Sequence, residues 1–142
     1  MALKTYSPDR VIVTFGAHTV KGFADGEFIS VEQMSDGITS ESGADGEVAR
    51  AMSTDKRMKV KITLQQTSDS NYFFSDVYDR DQISGGAVVL PISITDKRGK
   101  SLFAAAQAWI IKKPSSSFGK ELNTREWEIE TAKATYTVGG ND

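Results

Sequence analysis

Apolar and polar positions alternate most cleanly from Met58 to Leu64, where Met58, Val60, Ile62 and Leu64 interleave with Lys59, Lys61 and Thr63. Such a two-residue period predicts a strand with one buried and one wet face. Thr124–Thr131 repeats it, with Arg125, Trp127 and Ile129 set against Glu126, Glu128 and Glu130. Phe28–Met34 and Arg10–Phe15 give two further strands, and Gly16-Ala17-His18 turns the chain into Thr19–Phe23 as a hairpin. Ala87–Thr95 reads as a buried strand in which Pro91 marks an edge or a bulge. Ser101–Ile111 and Lys133–Val138 follow as strands, and Gly139 onward as a frayed end.

One stretch changes period. From about Asp69 to Asp81, Phe73 and Val77 are four apart, as are Phe74 and Tyr78, which predicts a helix with a broad apolar stripe. Ser68 stands where a cap would be, and Ser84-Gly85-Gly86 ends the segment. Two polar connections interrupt the strands. Lys112–Asn123 holds Pro114 and three serines in a row. Ser35–Gly46 is rich in Gly, Ser and Asp with Ile38 as its one large apolar residue, and it reads as a long mobile loop before Glu47–Ala51, which is extended. Connections of that length are usually functional or disordered, so an arm that reaches another copy is expected here. The pattern as a whole is a mainly β chain, an antiparallel sandwich or barrel with one flanking α-helix and a long inter-strand loop.

At 142 residues the chain is expected to form a single domain. Net charge is −2, from 17 basic and 19 acidic residues, so no basic surplus points to nucleic-acid binding. The absence of cysteine removes disulfides, thiol catalysis and thiolate metal sites. No apolar run approaches a membrane span or the core of a signal peptide.

Little catalytic chemistry is left. The single histidine, His18, falls in a predicted turn and reads as a surface residue. Glu126, Glu128 and Glu130 form a carboxylate row that could serve acid–base work, a solvated face or an aqueous channel. Lys59 and Lys61, near Lys56 and Arg57, form a basic stripe that could bind phosphate, pair with an acidic stripe on a neighbouring strand or subunit, or stay solvated. Asp36-Gly37 and Asp45-Gly46-Glu47 lack the spacing of a calcium loop. Trp109 and Trp127 read as core residues, with a sugar- or peptide-binding platform beside the 112–123 connection as the alternative. No cofactor is expected.

Segments taken in order resemble a known family. They are Val11-Ile12-Val13-Thr14-Phe15-Gly16, Gly22-Phe23-Ala24-Asp25-Gly26-Glu27-Phe28-Ile29-Ser30-Val31-Glu32 and Gly43-Ala44-Asp45-Gly46-Glu47-Val48-Ala49-Arg50, followed by Ile62–Ser68, Phe118–Glu121 and Thr124–Trp127. Together they resemble the tail tube proteins of contractile-tailed phages, over nearly the whole chain. The resemblance implies a non-enzymatic virion protein of the tail, assembled in the host cytoplasm. It implies hexameric rings stacked into a tube that passes DNA. Sheath, tape-measure, baseplate and tail-terminator proteins would be partners. The 35–46 loop would make ring-to-ring contacts, with Asp36, Ile38, Glu41, Asp45 and Glu47 as candidates. Glu126, Glu128, Glu130, Lys59 and Lys61 are candidate lumen-facing residues, and an acidic lumen would let DNA slide.

Overall fold

The computed structural model describes residues 3–141. Its centre is the predicted strand pair. Strand β6 (Met58–Gln65) runs antiparallel to β9 (Thr124–Thr131), with Ile62 opposite Trp127 and Val60 opposite Ile129. Directly opposite residues share a face, so the apolar positions of both strands fall on one side and are buried. The sheet grows outward in the order β2 (His18–Thr19), β1 (Val11–Phe15), β7 (Leu90–Asp96), β8 (Leu102–Lys112), β9, β6 and β3 (Ile29–Gln33). β10 (Ala134–Thr137) continues the line of β9 along the same edge of β8.

Helix α1 (Ser70–Ile83) lies on the apolar face. It buries Phe74 and Val77, and Phe74 meets Trp127 edge-on at 5.4 Å and Phe15 at 5.8 Å between ring centroids. Each such side chain contributes about 1.5–3 kcal/mol on burial. Ser68 does not cap the helix directly: Asp69 is the N-cap and makes no side-chain cap bond, while Ser68 Oγ accepts from the Ser70 amide and donates to the Lys21 carbonyl. Gly22 permits this approach, because its φ is +76° and a Cβ there would sit 2.6 Å from Ser68.

The sheet is curled but not closed, since β3 and β2 end it without pairing to each other. The barrel alternative is thus corrected to an open, sandwich-like sheet with a groove between β3 and the side formed by β1, β7 and β10. Val31 of β3 lines that groove together with Val11 of β1, Ile94 of β7 and Tyr136 of β10.

Several sequence expectations shift. The second arm of the 10–23 hairpin shrinks to His18–Thr19, because Phe23 leaves to bridge Leu64. Of the two places expected for Pro91, an edge or a bulge, the structure shows the bulge. The proline sits at a register shift between Leu90 and Ile92, where no ladder bond requires its missing N–H. The C-terminal residues are pinned rather than frayed through Asn141: its Nδ2 donates to Asp96 Oδ2 at 2.8 Å, and the Gly140 carbonyl accepts from the Lys100 amide.

The largest correction concerns residues 35–46, which are not a loop. β4 (Ile38–Ser42) and β5 (Val48–Met52) form a separate two-stranded antiparallel sheet, with Ile38 opposite Met52 and Ser42 opposite Val48. The Gly43 amide donates to the Glu47 carbonyl, leaving Ala44-Asp45-Gly46 as a three-residue turn whose last residue, Gly46, has φ +86°. That is a favoured hairpin turn. Because the arm buries nothing, it carries no alternating apolar signature, and the turn at its tip and the hydrogen bonds at its root set its register.

Candidate functional site

The β4–β5 arm extends the β3–β6 ribbon away from the main sheet. Residues 34–37 face residues 53–57 across its root, so one extra residue is accommodated there. Asp55 ties the root together. Its carboxylate accepts from Arg57 Nε and Nη2, both at 3.0 Å, and from Ser35 Oγ at 2.6 Å. The Arg57 and Ser35 hydrogen bonds hold its pKa well below the usual carboxylate range.

Beyond the root every residue of both arm strands is exposed. Ile38, Val48 and Met52 share one face and are 50%, 67% and 67% exposed. Unpaired hydrophobic side chains on a projecting ribbon are a contact surface in waiting. Asp36, Glu41, Asp45 and Glu47 outnumber the one base of the arm strands, Arg50, which lies on the same face as Ile38, Val48 and Met52. Glu41 lies on the opposite face to Ile38, and Asp45 Oδ1 accepts from the Glu47 amide within the turn.

The five candidate lumen residues fall on one face of the main sheet, the side away from α1. Lys59 stands opposite Glu130, Lys61 opposite Glu128, and Thr63 opposite Glu126. Glu128 lies 3.8 Å from Lys59 and 3.9 Å from Lys112, with its side chain 17% exposed. Glu32 of β3 adds a fourth carboxylate opposite Lys59. The acidic row and the basic stripe are therefore interleaved, and the expected acidic face is nearly charge-balanced.

Two aromatic expectations divide. Trp127 is core, 2% exposed, and its Nε1 donates to Asn71 Oδ1 at 2.9 Å. It cannot serve as a stacking platform. Trp109 is half-buried on the outward face, opposite Glu130. The 112–123 connection is fastened by Arg125, whose Nη2 donates to the Ser117 carbonyl and whose guanidinium lies over Phe118 at 5.2 Å. His18 is not a surface turn residue: its ring stacks on Phe73 at 4.2 Å and Nε2 lies 2.8 Å from Ser70 Oγ.

What sequence reasoning missed is the groove between β3 and the side formed by β1, β7 and β10, a cavity of about 410 Å³ lined by Val31, Ile94, Phe103, Leu102, Tyr136 and others. Its lining comes from segments distant in sequence, so no local pattern announces it. Leu102, Tyr136 and Val138 are exposed at its rim.

An open-edged sheet, a projecting acidic ribbon with an apolar face and a balanced polar face define a structural protein built to contact other chains. The comparisons narrow that class. The family described as Bacteriophage PhiTE tail tube protein matches residues 9–139, and the chain belongs to this family. It is 31% identical to "Structural protein ORF10" of Pseudomonas phage KPP10, covering 96% of this chain and 83% of that one. Solved structures share the fold at low identity. The anti-feeding prophage tube-terminating cap aligns with a TM-score of 0.60 at 12% identity, covering 97% of this chain and 94% of that one. A chain of the sheath–tube complex of an extracellular contractile injection system aligns with a TM-score of 0.58 at 13% identity, covering 94% and 92%. The chain is thus a phage tail tube protein by family, a structural component of the virion tail and not an enzyme.

Proposed function

We propose that the chain assembles head to tail into hexameric rings, that the rings stack into the tube of a contractile tail, and that DNA passes through its lumen during ejection. The observation that carries this reading is the β4–β5 arm, which is folded as a ribbon yet touches no part of its own main sheet closely enough to bury a residue. A heterologous contact of this kind propagates into a ring or a stack. The open margins at β3 and β2 supply unpaired strand edges for neighbours.

In the assembled tube the face carrying Lys59, Lys61, Glu126, Glu128 and Glu130 lines the lumen. A nearly balanced lining neither holds a polyanion by counterion release nor excludes it. Asp36, Ile38, Glu41, Asp45 and Glu47 make the ring-to-ring contact. A sheath would surround the tube and a terminator would close it, as in the sheath–tube complex and the sheath/tube terminator of extracellular contractile injection systems; tape-measure and baseplate proteins would complete the tail, with assembly in the host cytoplasm. Negative-stain microscopy of concentrated purified protein tests the reading. Stacked rings are expected, and a uniformly monomeric sample at every concentration would overturn it.

A further inference from the structure

Among the described residues Arg125 is the only charged side chain that is buried, at 6% exposed. It stands at the start of β9, on the same face as Trp127. Its Nη1 donates to the Thr124 carbonyl at 3.0 Å and its Nη2 to the Ser117 carbonyl at 3.2 Å. Carbonyl dipoles solvate a cation without cancelling its charge, and Arg125 forms no ion pair among the described residues. Burial of an unpaired cation is costly, and an anion placed beside it offsets that cost.

Arg125 lines a cavity of about 310 Å³ between β9, α1 and the 112–123 connection. Gln66, Ser75 and Ser116 bring an amide and two hydroxyls to the same wall. Lys113 lines it too, but its Nζ lies 2.8 Å from Asp79 Oδ1, so that charge is already paired. The cavity therefore holds one unpaired positive charge among polar groups that can all donate a hydrogen bond. Phe118 is 79% exposed and marks the mouth, with the guanidinium 5.2 Å from its ring centroid.

A single positive charge matches a monoanion. The two carbonyl bonds use only part of the guanidinium's donor fork, and the remaining donors suit the oxygens of a carboxylate. A phosphate fits less well, because its second charge has no partner there and faces the Thr124 and Ser117 carbonyl oxygens. The apolar ring at the mouth suits the hydrocarbon stem that carries a carboxylate in a peptide. We infer that the cavity takes the side-chain carboxylate of an Asp or Glu in a peptide segment of a partner protein, with Arg125 gripping it and Phe118 packing against the apolar residue beside it. The partner's carboxylate completes a buried ion pair that this chain leaves half made. The site is whole within one copy, so it goes beyond the tube reading and needs no assembly.

Trp127 belongs to the cavity wall and its indole N–H donates to Asn71, so its side-chain NMR signal reports occupancy; Trp109, outside the cavity, is the internal control. The full, nitrogen-labelled chain is titrated with the capped peptide acetyl-Leu-Glu-Leu-amide, with its Gln counterpart and with inorganic phosphate. The Glu peptide is expected to move the Trp127 indole signal and the amides of residues 116–118 while Trp109 stays in place. The Gln peptide should bind at least about tenfold more weakly, the loss of one charged hydrogen-bond partner. Phe118→Ala alters an exposed ring, so it should keep the fold and weaken the Glu peptide. Arg125→Gln should abolish the difference between the two peptides; if that variant does not fold, the Glu and Gln peptides on the wild-type chain still decide. Equal binding of the two peptides, phosphate moving the same signals at lower concentration, or no movement up to the solubility limit of the Glu peptide would overturn the site. None of these outcomes bears on the tube reading, which the micrographs test.

Discussion

The β6–β9 pair and the β4–β5 arm are both antiparallel ribbons, yet opposite forces decide them. In β6–β9 the inward residues are buried against α1 and the rest of the sheet. A slip of one residue would throw Trp127 and Ile62 into water and bring Glu128 and Lys61 inside, so burial fixes the register. In the arm nothing is buried, and a slip would cost only the turn at Gly43–Glu47 and the ties at its root. A ribbon specified so weakly within its own chain is suited to being finished by another.

Mutations can break or sharpen that contrast. The largest effect on the chain's own stability is expected from Trp127→Ala, about 3–5 kcal/mol from lost burial and a cavity, together with an unpaired Asn71 Oδ1. A denaturant midpoint measures it. Ile38→Ala with Val48→Ala should move the same midpoint by less than about 0.5 kcal/mol while removing stacked rings from the micrographs. An arm pair as damaging to the monomer as the tryptophan would erase the distinction.

Gly46→Ala comes next. A side chain at φ +86° costs about 1–2 kcal/mol, and the loss should stay in the arm, visible as chemical-shift changes confined to residues 38–52. Glu128→Gln removes the carboxylate lying between Lys59 and Lys112. It should cost about 1 kcal/mol or less, shrinking with added salt. Replacing Glu126, Glu128 and Glu130 together by Gln leaves Lys59, Lys61 and Lys112 against Glu32 alone, a net positive face. Tubes of that variant should retain DNA at low salt and release it as salt rises, and unchanged release would contradict the assignment of that face to the lumen.

The smallest effect is the pH response of the arm's root. The folded pKa of Asp55 is depressed below the unstructured value of about 3.9. Its contribution is therefore complete above that value and lost only as pH falls further, through the folded pKa. Arm-root amide signals should persist through mild acid, and in Asp55→Ala they should broaden already at neutral pH.

The central strands were legible in the sequence because burial writes itself as alternation: Met58–Leu64, Thr124–Thr131 and the helix stripe of Phe73, Phe74, Val77 and Tyr78 all stand as read. The arm was misread for the reason it matters. Ser, Thr and Glu on an exposed ribbon have no period to detect, and the one local signal, Gly46 closing a three-residue turn, was masked by its Gly- and Ser-rich neighbours. The basic stripe of Lys59 and Lys61 was expected to pair with an acidic strand, and the cross-strand register identifies the glutamate row as that strand. His18 eluded the reading because its partners, Phe73 and Ser70, lie more than fifty residues away.

Hydrogen exchange on the free chain and on the assembled material tests the central claim most directly, by following residues 38–42 and 48–52 against residues 58–65 and 124–131. A two-stranded ribbon alone is only marginally stable. The arm should therefore exchange fast in the free chain and become strongly protected on assembly, while the central strands are protected in both. An arm whose exchange is the same in both states would contradict the account.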